Sequence, residues 1–248
     1  MDATKLLYLE DMQKLVHETR VVDVAVEEGK TLLTLDETIF YPQGGGQPYD
    51  QGTIENNSGL PAGKVGTFKV DEVRFVDGIV KHIGHLESGS FANDQLVTLK
   101  VDPVRRALHS RVHSGGHVLD MAVHQLKLEW IPGKGYHFPD GPYVEYAGEL
   151  DESKKEEIRQ QIETVSNDFI NKGIETSIRF MPKDEMHTVC THVPDYLPEG
   201  KPSRVVLYGT FGVPCGGTHV ANLKDIGHLT IRKISNKKGL IRVGYEVQ

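Results

Sequence analysis

Hydrophobic and polar positions change their period near residue 103, and that change organises the chain. Val21-Val-Asp-Val-Ala-Val26, a break at Gly29 and Thr31-Leu-Leu-Thr-Leu35 predict a hairpin of branched residues. Lys69–Val76 and Ile79–Ile83 predict a second, joined by Asp77-Gly78, the turn pair that matches the twist of antiparallel strands. Leu96–Val101 adds another strand. Ahead of these, Leu7, Leu9, Met12, Leu15 and Val16 fit a short helix within residues 1–19. Short strands with regular turns predict a small β-barrel over residues 1–102. After Pro103 the apolar spacing becomes helical, with Val112, Val118, Leu119, Val123 and Leu126 on a helix from Val104 to about Lys127. Ile131–Gly135 reads as a loop, and Tyr143–Tyr146 as a strand. Ser153-Lys-Lys-Glu156 is a capping-box pattern opening a helix with Ile158, Ile162, Val165 and Phe169 on one face and Gly173 at its end. Strands at Ile174–Phe180 and Arg204–Tyr208, then a hairpin of Ile226–Ile234 and Leu240–Val247, complete an α+β domain over residues 103–248.

Two glycine clusters interrupt these patterns. Phe40-Tyr-Pro-Gln-Gly-Gly-Gly-Gln-Pro48 cannot be helix or central strand, so it is a loop that another group approaches closely. Gly115-Gly116 sits inside the predicted helix at about 1 kcal/mol each relative to alanine, which suits a site where a backbone or substrate comes near. Length and composition are those of a globular protein: 248 residues, 38% hydrophobic and 25% charged. A net charge of −7 argues against sequence-independent coating of nucleic acid. Local basic groups remain, at Arg105, Arg106, Arg111, Lys127 and Lys134, and at Arg232, Lys233, Lys237, Lys238 and Arg242; each reads as an RNA-facing surface or as solvated charge. No run of 18 apolar residues and no signal-peptide pattern occur, so a cytoplasmic protein with no membrane partner is expected. There the two cysteines, Cys190 and Cys215, read as ligand or nucleophile before disulfide. The absence of GxxxxGK[ST] and GxGxxG gives no reason to expect a nucleotide cofactor.

The chemistry concentrates in two segments. In Leu108-His-Ser-Arg-Val-His-Ser-Gly-Gly-His117, His109, His113 and His117 follow one another four residues apart, along one face of a helix. About a hundred residues on, Cys215-Gly-Gly-Thr-His219 repeats the spacing with a thiolate and an imidazole. A His/His pair with a Cys/His pair is a donor set for Zn²⁺. We assign His109, His113, Cys215 and His219 to the metal, with His117 as the rival ligand or a packed neighbour. Whether the set is a closed structural site or an open catalytic one is not decided by spacing. His187 and Cys190-Thr-His192 read as loop chemistry near the site or as surface.

Together, Asp36-Glu-Thr-Ile-Phe-Tyr-Pro-Gln-Gly-Gly-Gly-Gln-Pro-Tyr-Asp-Gln-Gly52, the His109–His113 segment, Cys215-Gly-Gly-Thr-His-Val-Ala-Asn222 and Ile226–Ile234 resemble the freestanding alanyl-tRNA editing proteins of medium length, relatives of the editing domain of alanyl-tRNA synthetase. The resemblance runs from about residue 20 onward. It departs from the synthetase pattern at Ser114-Gly-Gly-His117, which stands where bulky apolar residues are usual. It implies a small N-terminal β-barrel followed by a two-layer α/β editing domain of the type shared by threonyl- and alanyl-tRNA synthetases. It also implies an aminoacyl-tRNA deacylase with one zinc per chain, acting on mischarged tRNA(Ala), chiefly the seryl and secondarily the glycyl ester. Carried over by position, Thr38, Gln47 and Cys215 become catalytic candidates. Thr38 would meet the serine hydroxyl, Gln47 would orient water or the ester carbonyl, and Gly45, Gly46 and Gly217 would line the substrate. The competing expectation is a non-catalytic tRNA- or metal-binding module.

Overall fold

In a computed structural model, the structure describes residues 2–27, 29–56 and 66–248. It divides into two compact units, Met1–Gly44 with Pro48–Ala107, and Gly45–Gln47 with Leu108–Gln248. The first is a closed antiparallel barrel. Its strands are β2 (Val16–Glu27), β3 (Lys30–Leu35), β5 (Gly52–Asn56), β6 (Gly66–Val76), β7 (Ile79–Ser88) and β8 (Leu96–Val101), joined in the order β2-β3-β7-β6-β5-β8. A short parallel pair, β1 (Lys5–Leu6) and β4 (Glu37–Thr38), lies beside it. Alternation fills the interior: Val97, Leu99 and Val101 of β8 are buried while Lys100 between them is exposed, and Leu33, Leu35, Ile54 and Phe68 join them in one core. Asp77 and Gly78 both take positive φ in the β6–β7 turn, as the turn pair predicts.

Two expectations for this unit change. Residues 2–19 contain β1, a 3-10 turn at Leu7–Leu9 and the start of β2, and not the α-helix expected. The apolar residues at helical spacing are only part of the signal; within β2, Thr19 and Val21 point inward at alternate positions, and strand pairing prevails. Arg106 is a buried structural cation. It pairs with Asp50 at 2.5 Å and donates to the carbonyls of Met12 and Ile39, so it contributes nothing to a solvent-facing basic surface.

The second unit holds helix α1 (Pro103–Gln125) from Leu108 onward, and α2 (Lys155–Lys172). Its larger sheet runs β14-β15-β10-β9, from β9 (Ile131–Tyr136), β10 (Tyr143–Ala147), β14 (Leu229–Lys237) and β15 (Leu240–Val247). A smaller sheet runs β11-β12-β13, from β11 (Thr176–Met181), β12 (Ser203–Tyr208) and β13 (Phe211–Pro214). Val118, Leu119 and Ala122 of α1, Ile162 and Ile170 of α2, and Ile231, Ile241 and Val243 of the sheet share the main core. Ile131–Tyr136 is a strand where a loop was expected. It lies at the sheet edge, where Pro132 lacks no needed N–H. The capping box at Ser153 does not form: Ser153 Oγ donates to Asp151 at 2.6 Å, and α2 begins after Lys154 with no side-chain cap. Gly173 ends α2 in the left-handed conformation as expected.

Candidate metal centre

Helix α1 carries His113 and His117 one turn apart on its buried side, and the segment after β13 brings Cys215 and His219 to them. The ligand atoms of these four residues lie within 4.8 Å of one another. His109 is buried on the same helix but does not belong to this group, although the spacing placed it there and left His117 as the rival. The reason is rotational. Each four-residue step turns about 40° around an α-helix, so 109–113 and 113–117 are two overlapping frames facing different directions. Cys215 and His219 converge on the second.

Each imidazole is held by its Nδ1. His113 Nδ1 donates to Gln47 Oε1 at 2.7 Å, which also accepts the Thr218 N–H, while Gln47 Nε2 donates to Thr218 Oγ1. His117 Nδ1 donates to Asp120 at 3.2 Å, and Asp120 is fixed in turn by the Tyr146 hydroxyl. His219 Nδ1 lies 2.9 Å from Tyr208 Oη. In each case Nε2 is the nitrogen left toward the cluster, and such outer hydrogen bonds set the tautomer of a metal-binding histidine. Gly217 makes the approach feasible, because a Cβ there would overlap the His113 ring.

Burial, followed by the neighbouring histidines and Arg204, holds His113 well below its usual pKa. Burial, His117 and Arg204 do the same for His219. Both are neutral imidazoles with a lone pair to give. His117 differs: burial alone would lower it, but hydrogen bonds and charge from Asp120 and Cys215 prevail and raise it to about 9. Burial pushes the Cys215 thiol up, yet the hydrogen bond and charge of His117, the Gly217 N–H and Arg204 bring it below its ordinary value. His117 thus holds its proton more firmly, and Cys215 its own less firmly, than either would in water, and a cation bound between them would displace protons from the pair. Three neutral-capable imidazoles and a thiolate, clustered and oriented from behind, fit a metal ion.

The cluster forms one wall of a cleft of about 790 Å³. Gly45, Gly46, His137, Lys134, Phe211 and Tyr196 line it as well. Gly46 has φ +77°, and a Cβ there would overlap the Gly135 carbonyl; its own carbonyl accepts the His137 N–H at 2.8 Å. His137 escaped the sequence reading because it stands outside any metal spacing. Its ring stacks on His113 at 4.3 Å between centroids, and its Nδ1 donates to Tyr245 Oη, whose proton goes to the Val112 carbonyl. Burial, then His117, lowers its pKa to about 3.

Residues 3–105 match the family model of class II (A) tRNA synthetases, and residues 204–243 match that of the threonyl and alanyl tRNA synthetase second additional domain. The alanyl-tRNA editing protein AlaX-M of Pyrococcus horikoshii is 30% identical over 240 residues, covering 95% of this chain and 94% of that protein. The chain belongs to the alanyl-tRNA editing protein family. The family's AlaX-L protein from the same organism is 27% identical over 234 residues, covering 92% of the chain and 54% of that protein. The alanine–tRNA ligase of Methanobrevibacter smithii is 30% identical over 98% of the chain, which spans only 27% of that enzyme.

Within this editing-family chain the remaining candidates have defined places. Thr38 lies in the barrel unit, fully buried. His82 Nδ1 faces the Leu33 carbonyl and so carries the proton; its Nε2 therefore accepts from the Thr38 hydroxyl at 2.8 Å. Thr38 Oγ1 accepts the Phe40 N–H in turn. Gln47 is engaged with His113 and Thr218. Thr191 and His192 line the cleft, whereas Cys190 is buried in a small core with Met181 and Met186, its thiol pushed up to about 11 by burial. Among the described residues no helix is long and apolar enough to cross a membrane.

Proposed function

We propose that the chain is a trans-editing hydrolase that cleaves the ester of mischarged tRNA(Ala), seryl above glycyl, with one zinc ion held by His113, His117, Cys215 and His219. The observation that carries this reading is the convergence of four possible metal donors on the wall of an open cleft, in a chain that is similar to an alanyl-tRNA editing protein over 95% of its residues. Three imidazoles and a thiolate suit zinc, which when bound polarises a carbonyl or lowers the pKa of a water. Gln47 fixes the tautomer of His113, and Asp120 does so for His117. Such an activity has a physical rationale: a pocket sized for alanine cannot exclude glycine by size and rejects an added hydroxyl only weakly, so a second site must remove the errors. The fourfold protein donor set also favours a second reading. Four protein ligands close a tetrahedral shell, as structural zinc sites do, and the chain would then be a tRNA-binding module without catalysis.

Single-turnover deacylation of Ser-, Gly- and Ala-tRNA(Ala) by the purified chain separates the two. The seryl ester should fall at least ten times faster than the alanyl ester; rates equal to spontaneous hydrolysis on all three would leave only the binding module. Thr38 is proposed to read the serine hydroxyl, which requires exchanging its bond to His82. Thr38→Val should then cut the Ser/Ala ratio roughly ten-fold, since an unpaired buried polar group costs about 1–3 kcal/mol. An unchanged ratio makes Thr38 a structural hydroxyl of the barrel.

A further inference from the structure

The cleft is larger than an aminoacyl group needs. Its 790 Å³ lies within the roughly 300–1,000 Å³ that holds a drug-sized ligand, while a seryl ester is a handful of atoms. Beyond the histidines the walls change character, to Phe211, Pro194, Lys134, Asp195 and Tyr196. Tyr196 is 82% exposed, the most exposed large apolar side chain among the described residues. It stands on a loop that is tied down on both sides of it. Val193 and Leu197 pack against the core of Met181, Met186, Val205 and Leu207, Lys183 Nζ donates to the Asp195 carbonyl at 2.8 Å, and the Leu197 N–H bonds the Pro194 carbonyl. A solvent-facing aromatic ring on an anchored loop that lines the cleft, with a lysine on the same cleft, combines a stacking platform for a base with a cation for a phosphate.

We infer that the outer part of this cleft is a nucleoside subsite in which Tyr196 stacks on the 3′-terminal base of the RNA and Lys134 faces its phosphate. The inference rests on the editing reading and deepens it. An aminoacyl ester sits on the terminal ribose, so the base and its phosphate must lie within one nucleotide of the scissile carbonyl, and the same cleft has to receive both. The subsite reads the unpaired end by stacking, which every base permits, and so supplies affinity without choosing the amino acid.

The test uses the full chain and an uncharged acceptor-stem hairpin RNA ending in 2-aminopurine, whose fluorescence is quenched when it stacks on an aromatic ring. The parent should bind with quenching, and Tyr196→Phe should keep both. Tyr196→Ala should lose the quench and bind roughly 5- to 150-fold more weakly, the range found for removing one stacked aromatic. Lys134→Gln should flatten the salt dependence of binding while leaving the quench. Equal quench and affinity in Tyr196→Ala and the parent, or a parent that does not quench, overturns the subsite. Deacylation measured alongside keeps the two readings apart. A quench lost in Tyr196→Ala, with no deacylation by the parent, supports the subsite and removes the enzyme. With an active parent, Tyr196→Ala that deacylates as fast as the parent at RNA and enzyme concentrations below the parent's Kd removes the subsite alone.

Discussion

His113 is shared between two overlapping four-residue frames, and its neighbours on either side have different fates. His117 faces the Cys215 sulfur and is braced by Asp120; His109 stands one turn the other way, outside the cluster. His117→Ala should therefore abolish stoichiometric zinc in protein purified without chelator, whereas His109→Ala should retain about one ion per chain. Elemental analysis on both variants checks this, and zinc lost from His109→Ala but kept in His117→Ala would return the site to the first frame. That a cluster able to hold a metal forms here was legible, since Cys215-Gly-Gly-Thr-His219 and a histidine ladder bring together imidazole and sulfur donors. The frame was not, because both pairs have identical spacing and the choice depends on where a segment a hundred residues away arrives. Gln47 was singled out for its motif, but its bond to His113 spans 66 residues and its bond to Thr218 spans 171, distances at which sequence spacing carries no geometry.

At the scale of elements, the two glycines inside α1 show why a costly residue is kept. A Cβ on Gly116 would overlap the His137 ring, and one on Gly115 would come 2.9 Å from Val247 Cγ1. The room expected for a backbone or substrate is taken by side chains of the sheet unit itself. Gly116→Ala gains about 1 kcal/mol of helix propensity but overpacks a buried contact, which costs about 1–3 kcal/mol. A net loss of stability in urea unfolding is expected, with the cleft-lining His137 displaced; a net gain would mean that α1 and the sheet separate at little cost. Where local signals were complete, as in the Asp77-Gly78 turn, the stop at Gly173 and the hairpin ending at Val247, the elements were readable from residues alone. The edge strand at Ile131–Tyr136 was not, because its proline and glycines are tolerated only by its position at the margin of a sheet. Ser153 misled for a related reason: an aspartate two residues earlier captured its hydroxyl.

For the molecule as a whole, the buried polar groups set a limit on acid tolerance. Burial lowers His82 to about 4, against a donor bond to the Leu33 carbonyl that only partly offsets it. Between about pH 4 and 6.5 the unfolded chain binds a proton here that the folded barrel refuses. The stability is thus full above pH 6.5 and falls by about 3 kcal/mol as pH drops toward 4. Unfolding free energies across that range should fall more steeply for the parent than for His82→Gln, and parallel slopes would mean His82 protonates freely in the fold. The tripeptide Gly45–Gln47, which groups with the second unit although the barrel chain runs on both sides of it, has a consequence in time. A ribosome makes Gln47 long before Thr218, so the support for His113 waits until nearly the whole chain has emerged. Closing a loop of that length is entropically slow to be rewarded, which places this contact after the rate-limiting barrier. Gln47→Ala should accordingly quicken unfolding and leave the folding rate almost unchanged in stopped-flow experiments. A slowed folding limb would instead put this tripeptide among the first parts of the chain to find their place.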